Sequence, residues 1–161
     1  MKTVRYGVIG LGNQGKKYIE SYFMKDMVPD ASLVAVCDTD PAAVKGVVEA
    51  LGFEGAVFSD YREMIDSGMV DAVMIETPHY DHPEMTVYGL THGVHVLCEK
   101  PLCIKEEDID RILAAEGASD AMLGVCHQNR YNPANLFVKQ YLQEHGVRAA
   151  HGTVAWHRDA A

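Results

Sequence analysis

Two kinds of apolar pattern alternate along the chain. Residues 33–37 (LVAVC) and 71–75 (DAVMI) form nearly continuous apolar runs, which are typical of strands buried on both faces of a parallel sheet. Between such runs apolar residues recur at helical spacing, as they do at Val44, Val47, Val48 and Leu51. The pattern predicts strands at residues 3–9, 33–37, 56–58, 71–75, 94–98 and 121–126, separated by helices. Repeated strand–helix units with short connections predict an α/β fold with a doubly wound, mostly parallel Rossmann sheet.

Capping residues mark the helix boundaries. Asp40-Pro41 and Asn132-Pro133 each combine an N-cap with a first-turn proline, and Gly52 and Gly146 follow the corresponding helices. A further helix is predicted to open after Gly15. These signals predict helices between the strands and a last helix that ends at residue 146.

The end of the chain has a different pattern. Residues 152–158 (GTVAWHR) are typical of a strand, and no partner strand or turn follows them. We therefore expect a Rossmann domain over residues 1–147, with residues 148–161 as the first strand of a second α+β domain. On this interpretation the sequence is the front part of a longer protein.

Composition and charge narrow the classes of partner. The 161 residues are 48% hydrophobic and carry a net charge of -9 without a basic run, so neither nucleic acid nor a membrane surface is an expected partner. No stretch is long enough to span a bilayer, and the four cysteines form no CxxC pair, which favours a cytoplasmic location. Two histidine pairs have i,i+3 spacing, but no further ligand set completes a site, so we predict no metal.

A glycine-rich turn is the first candidate site. Residues 10–15 (GLGNQG) follow the first strand directly and have the GxGxxG spacing of a dinucleotide-binding turn. Such a turn points backbone N–H groups and a helix dipole at one position, where a diphosphate binds without a basic side chain. Gly10, Gly12, Asn13, Gln14 and Gly15 are therefore predicted to contact the cofactor.

An acidic residue at the end of the second strand completes this pattern. Asp38 follows the turn at about the 20-residue distance that the ribose-binding acid requires. A carboxylate there accepts hydrogen bonds from ribose hydroxyls and repels a 2′-phosphate, and neither Thr39 nor Asp40 supplies positive charge. NAD is therefore predicted in preference to NADP. The alternative is a solvated acid beside a structural turn.

Several segments of the chain resemble one enzyme family. Residues 7–12 (GVIGLG), Thr77-Pro78 with His82, and residues 93–102 (GVHVLCEKPL) resemble the Gfo/Idh/MocA family of glucose-fructose oxidoreductases, inositol dehydrogenases and rhizopine catabolism proteins. Residues 130–133 (RYNP) look like the next landmark of that family. The resemblance covers almost the whole chain and implies an NAD-binding domain followed by a substrate-binding domain.

The resemblance also implies roles for individual residues. Lys100 would lie near the nicotinamide and the reacting hydroxyl, where a cation lowers the pKa of the hydroxyl, and Glu99 would place Lys100. The other residues predicted to bind the cofactor are Thr77, Pro78, His82, Pro101, Asn129 and Arg130. From the residues alone, a lysine at a strand end such as Lys100 is usually solvated. Asn129 is equally a packed or solvated side chain, and Arg130 is equally the anchor of a loop by a salt bridge.

Three functions agree with this pattern. The main expectation is an NAD-dependent oxidoreductase that transfers a hydride between a secondary alcohol of a sugar, inositol or related polyol and NAD. The alternatives are an NAD-dependent glycosidase of the same family and a non-catalytic dinucleotide-binding protein. In the family, a catalytic aspartate and histidine lie beyond the position that matches residue 161, so these 161 residues alone are expected to be inactive. The full-length protein is expected to be a homo-oligomer.

Overall fold

The computed structural model describes residues 3–146 and residue 149. Its contacts divide the chain into two compact units, residues 1–126 and residues 127–161.

The first unit alternates strands and helices throughout its length. Its strands are β1 (Val4–Ile9), β2 (Ala31–Cys37), β3 (Ala56–Phe58), β4 (Ala72–Ile75), β5 (His95–Cys98) and β6 (Leu123–Val125). Its α-helices are α1 (Asn13–Tyr18), α2 (Pro41–Leu51), α3 (Tyr61–Asp66), α4 (His82–Thr91) and α5 (Glu106–Gly117).

The six strands form one sheet in the order β3-β2-β1-β4-β5-β6. Every pairing between neighbours is parallel. This confirms the predicted doubly wound parallel sheet. Because β1 lies between β2 and β4, the chain reverses its direction of winding at this position. In sheets of this kind the crevice at such a reversal, outside the carboxyl ends of the strands, is where ligands bind.

The sheet buries a hydrophobic layer on each face. Side chains that alternate along one strand enter different layers: Met74 packs with Val8 and Val47, whereas Ile75 packs with Leu90 and Val96. All four residues of β4 are buried. This two-sided burial is the physical reason for the continuous apolar runs in the sequence.

Several observed boundaries differ from the predicted ones; β2, for example, begins at Ala31, two residues earlier than predicted. The first helix begins at Asn13 and not after Gly15, because Gly12 (φ -63, ψ -168) is the extended N-cap residue. This helix continues directly into a π-helical segment, Ile19–Phe23. The predicted strand at residues 121–126 is limited to β6 (Leu123–Val125). The predicted cap at Asp40 is confirmed, since its side chain accepts a hydrogen bond from the Ala42 N–H (2.9 Å).

The second unit contains a 3₁₀ turn, Gln128–Tyr131, and the helix α6 (Pro133–His145). The Asn132 side chain caps α6 by accepting from the Ala134 N–H (3.0 Å), as predicted. No residue of α6 is buried. The strand predicted at residues 152–158 lies outside the described residues.

Three further features of the described residues concern membrane spans, metal binding and the cysteines. Within residues 3–146, no helix has the length and apolarity needed to cross a bilayer, and no cluster of three or more histidines, cysteines or acids is arranged to hold a metal. All four cysteines are free thiols. Cys37 and Cys98 are buried, as expected of small apolar residues, whereas Cys103 and Cys126 are only partly buried.

Candidate functional site

The glycine turn is shaped first by Gly10. Its φ of +93° is in the region that favours glycine, and its N–H donates to the Cys37 carbonyl (2.8 Å). A Cβ on Gly10 would lie 2.8 Å from the carbonyl carbon of Glu76 and 2.9 Å from the amide nitrogen of Thr77. The turn after β1 therefore rests directly on the chain that leaves β4, and only glycine fits there.

Gly15 and Gly12 serve different purposes. A Cβ on Gly15 would overlap the carbonyl oxygen of Gly10, so Gly15 allows α1 to pack closely against the end of β1. Around Gly12, in contrast, no described residue other than its chain neighbours has an atom within 4 Å of the Cβ position, and the residue is exposed. The middle glycine thus leaves an open surface in front of backbone at the start of a helix. This open surface fits the diphosphate of a dinucleotide, which approaches the backbone at that glycine.

Asp38 is bound to this turn. One carboxylate oxygen, Oδ2, accepts a hydrogen bond from the Leu11 N–H (2.6 Å), and Oδ1 accepts one from the Asp40 N–H (2.8 Å). Each carboxylate oxygen can accept a second hydrogen bond. Asp38 is therefore able to accept hydrogen bonds from ribose hydroxyls while it fixes the conformation of the glycine turn.

A cleft of about 560 Å³ opens at the carboxyl ends of β1, β2 and β4. Five of the predicted cofactor residues line it: Gly10, Gly12, Asp38, Thr77 and Pro78. The structure thus brings together residues that are separated by up to 68 positions in the sequence, from Gly10 to Pro78. Their contacts with a cofactor stay predictions.

The cleft also contains residues that the sequence analysis did not single out. Tyr61, Arg62 and Tyr80 line it, and the guanidinium of Arg62 lies over the Tyr61 ring at 4.6 Å from the ring centroid. Arg62 also forms an ion pair with Glu84. In the sequence these residues look like the polar positions of a short helix and its neighbouring loop, so no local signal marks them.

Glu99 is the best-connected acid near the end of β5. It is only 7% exposed, and its Oε1 accepts from the Tyr18 hydroxyl (2.9 Å) while its Oε2 accepts from the Lys100 N–H (2.8 Å). Burial and the hydrogen bond to Glu99 raise the pKa of Tyr18. The sequence analysis did not single out Tyr18, so this contact of its hydroxyl was missed. Lys100 is exposed, and the Lys100-Pro101 peptide bond is cis.

His82 connects the segments that follow β4 and β5. It is 1% exposed, with Nδ1 at 2.8 Å from the Pro101 carbonyl oxygen and Nε2 at 2.8 Å from the Thr77 carbonyl oxygen. The imidazole therefore fixes the segment after β4 relative to the segment after β5. Its predicted part in the cofactor site stays a prediction, and the structure supports a positioning role.

The remaining predicted residues occupy two further places. Asn13 and Gln14 are exposed in the first turn of α1. Asn129 and Arg130 belong to the second unit, where the Asn129 carbonyl accepts from the Asn135 side-chain amide (2.7 Å) and the Arg130 N–H donates to the His127 carbonyl (2.9 Å). Their cofactor contacts stay predictions too.

A parallel sheet in this strand order, with a glycine turn after β1 and an acid after β2, defines a dinucleotide-binding Rossmann domain. Residues 4–127 match the model of the Gfo/Idh/MocA family, described as an oxidoreductase family with an NAD-binding Rossmann fold, and the chain belongs to this family. The predicted family, fold class and NAD cofactor class are thereby confirmed.

Curated relatives are inositol dehydrogenases. The chain is 34% identical over 160 residues to an inositol 2-dehydrogenase of Rubrobacter xylanophilus, covering 99% of this chain and 45% of that protein. It is 30% identical over 158 residues to a myo-inositol 2-dehydrogenase of Thermotoga maritima, covering 98% and 46%. The chain thus spans less than half the length of these relatives.

Similar solved structures are dehydrogenases as well. A scyllo-inositol dehydrogenase of Lactobacillus casei with bound NAD(H) and scyllo-inositol matches with a TM-score of 0.78 and 26% identity, covering 89% of this chain and 42% of that one. The WlbA dehydrogenase of Bordetella pertussis, in complex with NADH and UDP-GlcNAcA, matches with a TM-score of 0.81 and 31% identity over the same shares.

Proposed function

We propose that this chain is the NAD-binding part of an oxidoreductase that transfers a hydride between NAD and a secondary alcohol of an inositol or related polyol. The support is membership of an NAD-binding oxidoreductase family together with relatives named inositol 2-dehydrogenase. A similar solved structure holds NAD(H) and scyllo-inositol. The substrate and the activity concern a longer protein, since the relatives are about twice the length of this chain.

The proposal rests on the different surroundings of the three glycines in the turn. A Cβ on Gly10 or Gly15 would collide with neighbouring backbone, whereas among the described residues only the chain neighbours of Gly12 lie within 4 Å of its Cβ position. A turn that served only packing would not need the middle glycine, whose backbone angles any residue adopts. An open backbone surface at a helix start is what an anionic diphosphate requires.

The adenosine ribose is assigned to Asp38. Its carboxylate is held by the Leu11 N–H, which places it beside the diphosphate position at the glycine turn. An acid at this position also disfavours a 2′-phosphate, in agreement with NAD in preference to NADP. Thr77 and Pro78 line the same cleft.

The reacting end of the site is assigned to Lys100. NAD supplies a hydride acceptor when it is bound. The ammonium group of Lys100 would hold the substrate hydroxyl, lower its pKa and stabilise the developing alkoxide. Glu99 positions this lysine by accepting a hydrogen bond from its backbone N–H, and Tyr18 holds Glu99 from the opposite oxygen.

Location and assembly complete the proposal. Four free thiols accord with a reducing, cytoplasmic location. We further propose that the full-length protein is a homo-oligomer, which light scattering coupled to size exclusion measures directly. These two statements are independent of the catalytic assignment.

The decisive experiment replaces Lys100 by methionine in the full-length protein. Lys100→Met is expected to lower kcat for NAD-dependent oxidation of myo-inositol or scyllo-inositol by about 10² to 10³-fold, the usual effect of removing one donor from a developing oxyanion. The Kd for NADH is expected to change little. Lys105→Met, an exposed lysine five residues further along, serves as the matched control and should retain activity. Unchanged turnover in Lys100→Met would refute the catalytic assignment, and sugar release without net NADH formation would indicate a glycosidase.

A further inference from the structure

Glu76 lies immediately beneath the glycine turn. It follows the last residue of β4, and its N–H donates to the carbonyl of Ile9 (2.8 Å). Its backbone fills the position that a Cβ on Gly10 would need, and its Cβ lies 3.4 Å from the Cβ position of Gly15. The Glu76 side chain therefore projects between the strand ends and the first turn of α1.

The carboxyl group of Glu76 is buried without a partner. The residue is 8% exposed, and in the described part of the chain neither Oε1 nor Oε2 has a hydrogen-bond partner or contact with solvent. A buried carboxylate without partners is strongly disfavoured relative to the neutral acid. Burial first, and the nearby charge of Glu99 second, raise the pKa of Glu76 to about 8.

Glu99 is the neighbouring acid on the same face of the sheet. Ile75 of β4 is paired with Cys98 of β5, so the next residues on the two strands, Glu76 and Glu99, lie side by side. The two oxygens of Glu99 accept hydrogen bonds from Tyr18 and Lys100, whereas those of Glu76 accept none from the described residues. Hydrogen bonds of this kind favour the charged form of the acid that receives them. Of the two acids, Glu76 is therefore the one whose surroundings favour the neutral form.

Three titratable groups that interact with the pair, Tyr18, Cys98 and Cys126, are neutral near pH 7 because burial raises their pKa values. Tyr18 of α1 faces Glu99 through its hydroxyl. The thiol of Cys98 and that of Cys126, which follows β6, interact with both acids, and burial raises their pKa values to about 12 and about 11. Ionisation of Glu76 would thus place a second negative charge next to Glu99 and directly below the glycine turn.

We propose that Glu76 sets the affinity of this domain for the cofactor through its proton: the neutral acid permits the dinucleotide diphosphate to bind at the glycine turn, and the carboxylate opposes it. This inference rests on the proposed function, because it concerns an anionic ligand at that turn. Glu76 acts through charge beneath the turn and not by contact, since its oxygens are buried. It is a positioning and affinity determinant of the site.

The pH dependence follows from the fraction of Glu76 that carries a proton. If only the protonated form binds, the apparent Kd rises by about tenfold between pH 7 and pH 9 for a group that titrates near pH 8. Binding at pH 8 would then draw about half a proton from the buffer per NADH bound. Such proton uptake is measured in the unmodified protein, so it requires no variant.

The experiment titrates the chain with NADH by calorimetry at pH 6, 7, 8 and 9, in buffers of different ionisation enthalpy. Wild type is expected to lose affinity above pH 8 and to take up protons, whereas Glu76→Gln is expected to bind with a Kd that is independent of pH across this range. Glu54→Gln, which changes an exposed acid, should retain the wild-type profile. A flat wild-type profile without proton uptake, or an unchanged profile in Glu76→Gln, overturns the inference alone. Absence of NADH binding at every pH contradicts the proposed function itself.

Discussion

Gly12→Ala separates the stability of the fold from the binding of the dinucleotide. The Gly12 angles (φ -63, ψ -168) suit alanine, and apart from its chain neighbours no residue in the described part of the chain lies within 4 Å of the new Cβ. Loss of a glycine N-cap costs roughly 0.5–1 kcal/mol. The lower conformational entropy of the unfolded chain returns about 0.4–1 kcal/mol. The net change in the free energy of unfolding should be under about 1 kcal/mol, whereas the new methyl group occupies the surface assigned to the diphosphate.

Gly15→Ala should lower the stability of the fold as well as the binding of the dinucleotide. Its Cβ would overlap the Gly10 carbonyl oxygen and lie 3.1 Å from the Gly10 carbonyl carbon, both of which belong to backbone that cannot rotate away. Separating α1 from the end of β1 is an overpacking effect of about 3 kcal/mol. For a chain of this size that corresponds to a fall in Tm of roughly 6–12 °C. The same shift would displace the whole turn, so NADH binding is lost as well.

Thermal unfolding by circular dichroism and NADH titration by calorimetry measure the two effects. Gly12→Ala should unfold within about 4 °C of wild type but bind NADH at least about tenfold more weakly, a loss of about 1.4 kcal/mol. Gly117→Ala, at the last position of α5 with open space around its Cβ position, is the control and should change neither property appreciably. Wild-type NADH affinity in Gly12→Ala would refute the assignment of the diphosphate to this turn.

Two further predictions concern the acids of the cleft. Asp38→Asn keeps an acceptor for the Leu11 N–H but removes the charge. Because a hydrogen bond to a charged group contributes about 1.5–3 kcal/mol, NADH should bind about 10-fold more weakly, and the preference for NADH over NADPH should fall. An unchanged ratio of the NADH and NADPH affinities in paired titrations would contradict this prediction. Glu76 has a pKa of about 8 in the folded chain against 4.5 ordinarily, so the folded state binds more protons between these values and wild-type stability should decline as pH rises through that window. Urea unfolding of Glu76→Gln should lack this decline, which amounts to about 3–5 kcal/mol, and an identical pH dependence in both proteins would show that Glu76 does not titrate in this way.

The parallel sheet was predictable because its signals are local. Continuous apolar runs reflect burial of β2 and β4 by the two hydrophobic layers. Asp40 and Asn132 mark helix starts because their side chains accept hydrogen bonds from N–H groups two residues further along the chain. The same holds for the glycine turn and Asp38, whose spacing is fixed by one strand–helix–strand unit. The helix start at Asn13 was placed too late because it depends on Gly12 being the N-cap residue, which the glycine spacing alone does not determine.

The contacts between strand ends were not predictable in this way. In the sequence Glu76 looks like any polar residue that ends a buried strand. Only the register of β4 and β5 shows that Glu99 lies beside it. The hydroxyl of Tyr18 reaches Glu99 across 81 positions, although its ring satisfies the apolar pattern of the helix. His82 was identified by the family resemblance, and its link between the Thr77 and Pro101 carbonyls is visible only in the structure.

The acids around the glycine turn constrain how an anion binds there. Asp38 receives the Leu11 N–H on one side, and Glu76 supports Gly10 from below, so two acidic residues adjoin the position assigned to a diphosphate. Attraction must then come from backbone N–H groups and the start of α1, which are fixed dipoles and not mobile charges. Such an arrangement tolerates Asp38 because its carboxylate accepts hydrogen bonds from the N–H groups of Leu11 and Asp40. It tolerates Glu76 only while that residue keeps its proton, and this is why the protonation of one buried carboxyl is expected to control binding of the cofactor.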